Sequence, residues 1–347
     1  MQINNVKNEN ANSSLASNEA ESSKLAFFPI MLFASVMGLG GLGLAFKKAS
    51  AAFLLNANFT SANLTNLLSL FFGTLATVIF ALLLVIYTAK IVLYFKEFKA
   101  ELHHHVKINF FSAIPICALI LATFLGAFKI NEFYLKILFY PAAFLQLILS
   151  LYVISFWFNN AMKKQILSPA WFIPIVGNLI VPLASHYAKI SFDISLFFFA
   201  VGCFFWLILS ALITSRLIFE EHLESKFLPT LFIFIAPPSI FVVDFSALFG
   251  IQSILSVMIY FLALFFMLLM LSLVKNFKNL PFALSWWAFT FPLCAFAIAS
   301  FEIFIFMQSI FYLLCGILGL ILAFLAVIFV FYKTSLAIKR GKICVKE

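Results

Sequence analysis

Charge is scarce in this chain. Asp, Glu, Lys and Arg make up 10% of its 347 residues, where an ordinary soluble domain carries about a quarter. Catalytic signatures are missing too. There is no glycine-rich phosphate loop, no HExxH pair and no nucleophile elbow, so the motif-bearing enzyme classes are excluded and no catalytic residue is assigned. The five cysteines contain no CxxC pair, which supports neither a zinc site nor a disulfide framework. Cys117, Cys203, Cys294 and Cys315 fall in apolar stretches and Cys344 in the tail, where they read as small hydrophobes. The first two dozen residues lack the basic start and early apolar core of a signal peptide. Rich in Asn, Ser, Ala and Glu, they predict a disordered cytoplasmic tail over residues 1–24, followed by a first helix that serves as an uncleaved anchor.

Hydrophobic residues, by contrast, make up 65% of the chain, in runs long enough to cross a bilayer at roughly 20 residues per helix. The reading is an all-α polytopic membrane protein with ten transmembrane helices. The predicted spans are Leu25–Phe46, Leu64–Tyr87, Phe110–Phe128, Phe133–Phe156, Trp171–Tyr187, Ile194–Leu217, Leu228–Phe249, Ile251–Leu273, Ser285–Met307 and Ser309–Phe331. One pore domain would occupy residues 25–332, with a basic cytoplasmic tail over 333–347. With the amino terminus inside, 17 of the 22 Lys and Arg residues fall on the inner side and 5 on the outer. That bias places both termini in the cytoplasm of a multi-pass protein of the plasma membrane, the inner membrane in a bacterium. The net charge of +9 is then a topology signal, and nucleic acid is not expected as a partner.

Proline follows the order of the spans. Pro29, Pro115, Pro174, Pro182, Pro229, Pro237, Pro238 and Pro292 lie in or beside the odd-numbered spans; among the even ones only the fourth has a proline, Pro141. Proline interrupts the backbone ladder and leaves a carbonyl that needs a neighbour or water. The alternation predicts five helical hairpins around a central pore, with an inner ring of proline-kinked odd helices and an outer ring of even helices. Pro29, Pro115, Pro174, Pro237 and Pro292 are the expected pore kinks.

Few ionisable residues fall at membrane depth. Asp244 and Glu302 are candidate pore or coupling groups, and His186 and Asp193 lie near the outer ends of their spans. The competing reading places each at an interface near a helix end. No inner helix shows an obvious buried Lys or Arg, which tilts the balance from a tight carrier toward a channel. His103, His104 and His105 are consecutive, so they point in different directions and read as a solvated loop; no metal site is expected. Gly38 and Gly41 share a helix face with Ala34, serving either close packing or a pore lining. In the ninth span Phe291 precedes Pro292. A ring held beside a backbone break is a candidate plug, although with 49 Phe in the chain this position is one of many.

Five patches, in order, resemble one known group. They are Phe28-Pro29-Ile30 with the glycines that follow; His105-Val106-Lys107-Ile108-Asn109-Phe110-Phe111; Pro169 to Pro182, with Trp171-Phe172-Ile173-Pro174 and Val176-Gly177-Asn178; Pro229-Thr230-Leu231-Phe232-Ile233 with Ala236-Pro237-Pro238-Ser239; and Trp286-Trp287-Ala288-Phe289-Thr290-Phe291-Pro292. The chain is similar to the tellurite-resistance/dicarboxylate transporter family, which includes TehA-type proteins, fungal malate permeases and the slow-type anion channels of plant guard cells. The resemblance implies a homotrimer with one pore per subunit and a phenylalanine gate at Phe291. It implies small inorganic or organic anions as partners, in a lipid setting and without a cofactor. The expected function is a passive anion channel. The alternative is a secondary transporter of C4-dicarboxylates such as malate, or an efflux protein for tellurite and toxic compounds.

Overall fold

The computed structural model describes residues 24–104, 106–250, 252–277 and 280–345. The predicted amino-terminal tail, apart from Lys24, and His105 of the histidine run lie outside the described residues.

Ten helices are long and apolar enough to cross a membrane: α1 (Ile30–Leu55), α2 (Phe59–Leu93), α3 (Lys107–Ala127), α4 (Glu132–Asn159), α5 (Pro169–Ala188), α6 (Phe192–Phe219), α7 (Ser225–Phe249), α8 (Ile254–Ser272), α9 (Leu284–Met307) and α10 (Ile310–Lys339). No strand occurs among the described residues. The largest departures from the sequence reading are at the ends. Span α1 continues to Leu55, so Lys47 and Lys48 are helical. Span α10 continues to Lys339, so the first part of the stretch read as a basic tail is helix.

Odd and even spans differ in burial. In the most apolar window of each odd span, 72–78% of residues are buried; in the even spans the share is 28–39%. The contacts explain the difference. Span α1 packs on α3, α3 on α5, α5 on α7, α7 on α9, and α9 on α1, which closes a ring of five. Each even span lies over the seam between its own odd partner and the next one, with α10 closing the circuit across α9 and α1. The outward faces of the even spans are apolar, as a lipid-facing surface must be.

The prolines act differently from expectation. Every odd span opens with a 3₁₀ segment before its α-helix: Ile30–Leu32, Lys107–Phe110, Pro169–Trp171, Ser225–Ile235 and Leu284–Phe289. Pro115, Pro174, Pro182 and Pro292 are each the third residue of the α-helix that follows, and Pro237 and Pro238 are second and third in theirs. The amides of a first turn have no intrahelical partner, so proline costs little there. The prolines therefore mark where α geometry starts. Pro141, in contrast, sits inside a continuous helix.

The interrupted span α5 is stitched from outside. The Pro174 carbonyl accepts hydrogen bonds from Gln146 Nε2 and Ser150 Oγ of α4, both at 2.8 Å, and Asn178 Nδ2 donates to Ser150 Oγ at 3.0 Å. Two cations also lie inside the protein. Lys90 of α2 and Arg216 of α6 are buried, on even spans, where the sequence reading counted them only as topology charges.

Candidate functional site

The ring of odd spans encloses a narrow cavity of about 60 Å³. All five odd spans contribute to it: Met37 of α1, Ile116 of α3, Val176 and Ile180 of α5, Ile240 of α7, and Phe291 with Pro292 of α9. Every lining side chain is apolar. Almost no polar surface faces this stretch, so a water there finds few partners.

Phe291 is the second residue of the α-helix Thr290–Met307 and is 8% exposed. Its ring lies against Gly41. A Cβ built on Gly41 would stand 2.9 Å from Phe291 Cδ2 and 3.2 Å from Cys294 Cβ. Gly38, one turn earlier, faces Trp287 and Thr290 of the same span. The two glycines thus let α1 approach α9 at the level of Phe291. The neighbouring Trp287 is fixed by its Nε1–H, which donates to Thr334 Oγ1 of α10 at 2.9 Å.

One to three turns earlier along the same spans lies a wider cavity of about 510 Å³. Its wall includes Pro29 beside α1, Met31 of α1, Lys107 of α3, Lys226 of α7, Ser285 of α9 and Lys333 of α10. Arg340 and Lys342, beyond α10, complete it. No carboxylate lines it among the described residues. All five cations count in the sequence as topology charges, and Lys107 also falls in one of the family-like patches. Their clustering at the leading ends of α3 and α7 and the trailing end of α10 was the available signal.

At the opposite end of the ring, Lys48 of α1 forms an ion pair with Glu302 of α9, whose Oε1 also accepts from Ser246 Oγ of α7 at 2.7 Å. Three odd spans are tied together there. Asp244 is fully buried one turn beyond the cavity-lining Ile240, and neither of its oxygens has a hydrogen-bond partner. His186 and Asp193 are exposed; His186 Nδ1 lies 3.1 Å from the Ala247 carbonyl, and Asp193 is in the first turn of α6. Pro115, Pro174, Pro237 and Pro292 stand at the starts of their α-helices, and Pro29 immediately precedes α1.

Comparison with known proteins agrees with this architecture. The family description "Voltage-dependent anion channel", SLAC1, matches residues 27–335. The S-type anion channel SLAH3 of Arabidopsis thaliana is 30% identical over 217 residues, which is 62% of this chain and 34% of that protein. The guard cell S-type anion channel SLAC1 of the same plant is 26% identical over 285 residues, 79% of this chain and 49% of that protein. The matched stretch thus spans a third to a half of these plant relatives. The tellurite resistance protein TehA homolog of Haemophilus influenzae is 27% identical over 275 residues, covering 78% of this chain and 79% of that protein.

Proposed function

The chain belongs to the SLAC1 family of voltage-dependent anion channels, and from that premise we propose that it conducts small anions passively through the ring of odd spans, with Phe291 as the plug. One observation carries the reading: a single cavity draws its lining from all five odd spans and includes Phe291 in its wall. An ion entering an apolar passage loses its hydration. Transfer of a small ion into a medium of low dielectric costs of order 20 kcal/mol before relaxation. A hydrophobic constriction of this kind closes by excluding water. Rotation of the Phe291 side chain away from Gly41 would widen it. The Lys and Arg bias puts the basic cavity on the cytoplasmic side, in a bacterial inner or other plasma membrane. The family resemblance supports a homotrimer with one pathway per copy, which light scattering of the purified protein checks.

The test is current through reconstituted bilayers. Phe291→Ala raises anion conductance at least tenfold over the wild type at equal protein density. Equal conductance in a well-folded variant rejects the plug. Reversal potentials with nitrate, chloride and malate then rank the permeant anions.

Asp244 favours a second reading, a proton-coupled carrier of dicarboxylates. A buried carboxyl without partners is costly to keep and is a common feature of proton relays. In liposomes, malate uptake that needs an imposed pH gradient and is lost in Asp244→Asn supports the carrier. Flux that follows voltage alone rejects it.

A further inference from the structure

The basic cavity is more than a funnel. Lys107, Lys226, Lys333, Arg340 and Lys342 converge on it from α3, α7, α10 and the segment after α10. Glu224 pairs with Lys226 at 2.9 Å, but its carboxylate is well exposed to solvent and lines none of the wall. Lys333, Arg340 and Lys342 alone bring three like charges to one space, of which a monovalent anion offsets one. A ligand with three negative charges offsets all three.

The volume, about 510 Å³, fits such a ligand, since sites for small molecules and cofactors run from about 300 to 1,000 Å³. The segment after α10 is folded to complete the wall. Gly341 takes a left-handed conformation, φ +65°, that favours glycine. Its N–H donates to the Ile338 carbonyl and the Lys342 N–H to the Ala337 carbonyl, both at 3.0 Å. This turn ends the helix and directs Lys342, Ile343 and Val345 onto the cavity. Ser285, Phe227 and Pro29 on the same wall belong to the leading ends of α9, α7 and α1. An occupant therefore sits directly in front of the apolar cavity.

We propose that this vestibule is a binding site for a soluble oligophosphate, of the charge class of tripolyphosphate or a nucleoside triphosphate, and that the occupied site obstructs the pathway. The binding half stands on the cavity alone; the obstruction half rests on the channel reading above.

Isothermal titration of the purified full-length protein with sodium tripolyphosphate tests the binding half. Saturable binding is expected in the wild type, weakened at least tenfold in Arg340→Gln/Lys342→Gln and in a chain ending at Lys339. It also weakens steeply with added salt. No binding by the wild type, or undiminished binding in both variants, overturns the site. So does interaction confined to vesicles containing phosphatidylglycerol, with none to soluble tripolyphosphate. For the obstruction half, tripolyphosphate applied to the cytoplasmic face of Phe291→Ala channels lowers the current severalfold, and Arg340→Gln/Lys342→Gln in that background relieves the block. Binding without any loss of current overturns that half. If no variant carries current, the channel reading fails, while the titration still decides the site.

Discussion

The ring of Phe291 rests on the backbone of Gly41, at a spacing that leaves no room for a methyl group: an added Cβ would stand 2.9 Å from Phe291 Cδ2. Two spans far apart in the chain meet here, at a side chain that lines the apolar cavity. Gly41 is therefore an indirect handle on Phe291.

Gly41→Ala displaces the ring. Helix propensity alone would make this change favourable by about 1 kcal/mol, so a loss of order at Phe291 reports the clash and not a weaker helix. Bilayer recordings should show conductance above the wild type and below Phe291→Ala. The double variant should conduct no more than Phe291→Ala, because the two residues act through one contact.

A second tie holds together the end of the ring that carries the basic cavity. Lys90 Nζ lies 2.8 Å from Glu101 Oε2 and donates to the Phe28 carbonyl at 2.8 Å, while the Tyr87 hydroxyl donates to Glu101 at 2.9 Å. The pair joins α2, the short helix Phe95–Leu102 and the residue before Pro29. Lys90→Met leaves Glu101 without its cation and should cost about 3 kcal/mol, the range for breaking one side of a buried pair. Lys90→Met/Glu101→Leu should recover part of that loss. Thermal unfolding in detergent, followed by tryptophan fluorescence, measures both.

Asp244 predicts a trade between stability and transport. Both carboxyl oxygens are buried and unpartnered, a penalty of about 1–3 kcal/mol. Asp244→Leu should raise the unfolding temperature. If malate uptake driven by a pH gradient disappears in the same variant, the residue is retained for coupling; unchanged flux assigns it no part in transport.

Cys344 reports on the segment after α10. Burial pushes its thiol above the ordinary value, and the thiolate is the reactive form. A raised value means less thiolate at neutral pH, so maleimide labelling at pH 7.5 should be slower than for a free cysteine and should speed up as pH rises. Ala substitution of the other four cysteines isolates the signal. A rate equal to free cysteine would show that the segment does not pack where the structure places it.

Much of the architecture was legible because its cause is local. Ten apolar stretches of bilayer length need no tertiary information, and the rhythm of proline along them separated buried from lipid-facing spans. What proline does was not legible. Pro292 reads as a break within a span, whereas the α-helix starts at Thr290 and the residues before it are 3₁₀. That distinction depends on how the Leu284–Phe289 segment packs, not on the residue itself. Lys90 was read as a boundary charge because its partner Glu101 follows an interruption at Tyr94. The basic vestibule was hidden for the same reason on a larger scale: Lys107 and Arg340 are unremarkable flanking charges until the ring closes and brings α3 and α10 to one space.

The 3₁₀ segment Ser225–Ile235 has a mechanical consequence. A 3₁₀ turn rises about 2.0 Å per residue and an α turn about 1.5 Å, so winding these eleven residues into α geometry would shorten the segment by about 5 Å. It would also put Pro237 and Pro238 inside a continuous α-helix, where each proline costs about 3 kcal/mol. The proline pair therefore holds the segment long and keeps Lys226 and Phe227 at the rim, a full helical pitch further from Ala236–Phe249 than an α-helix would allow.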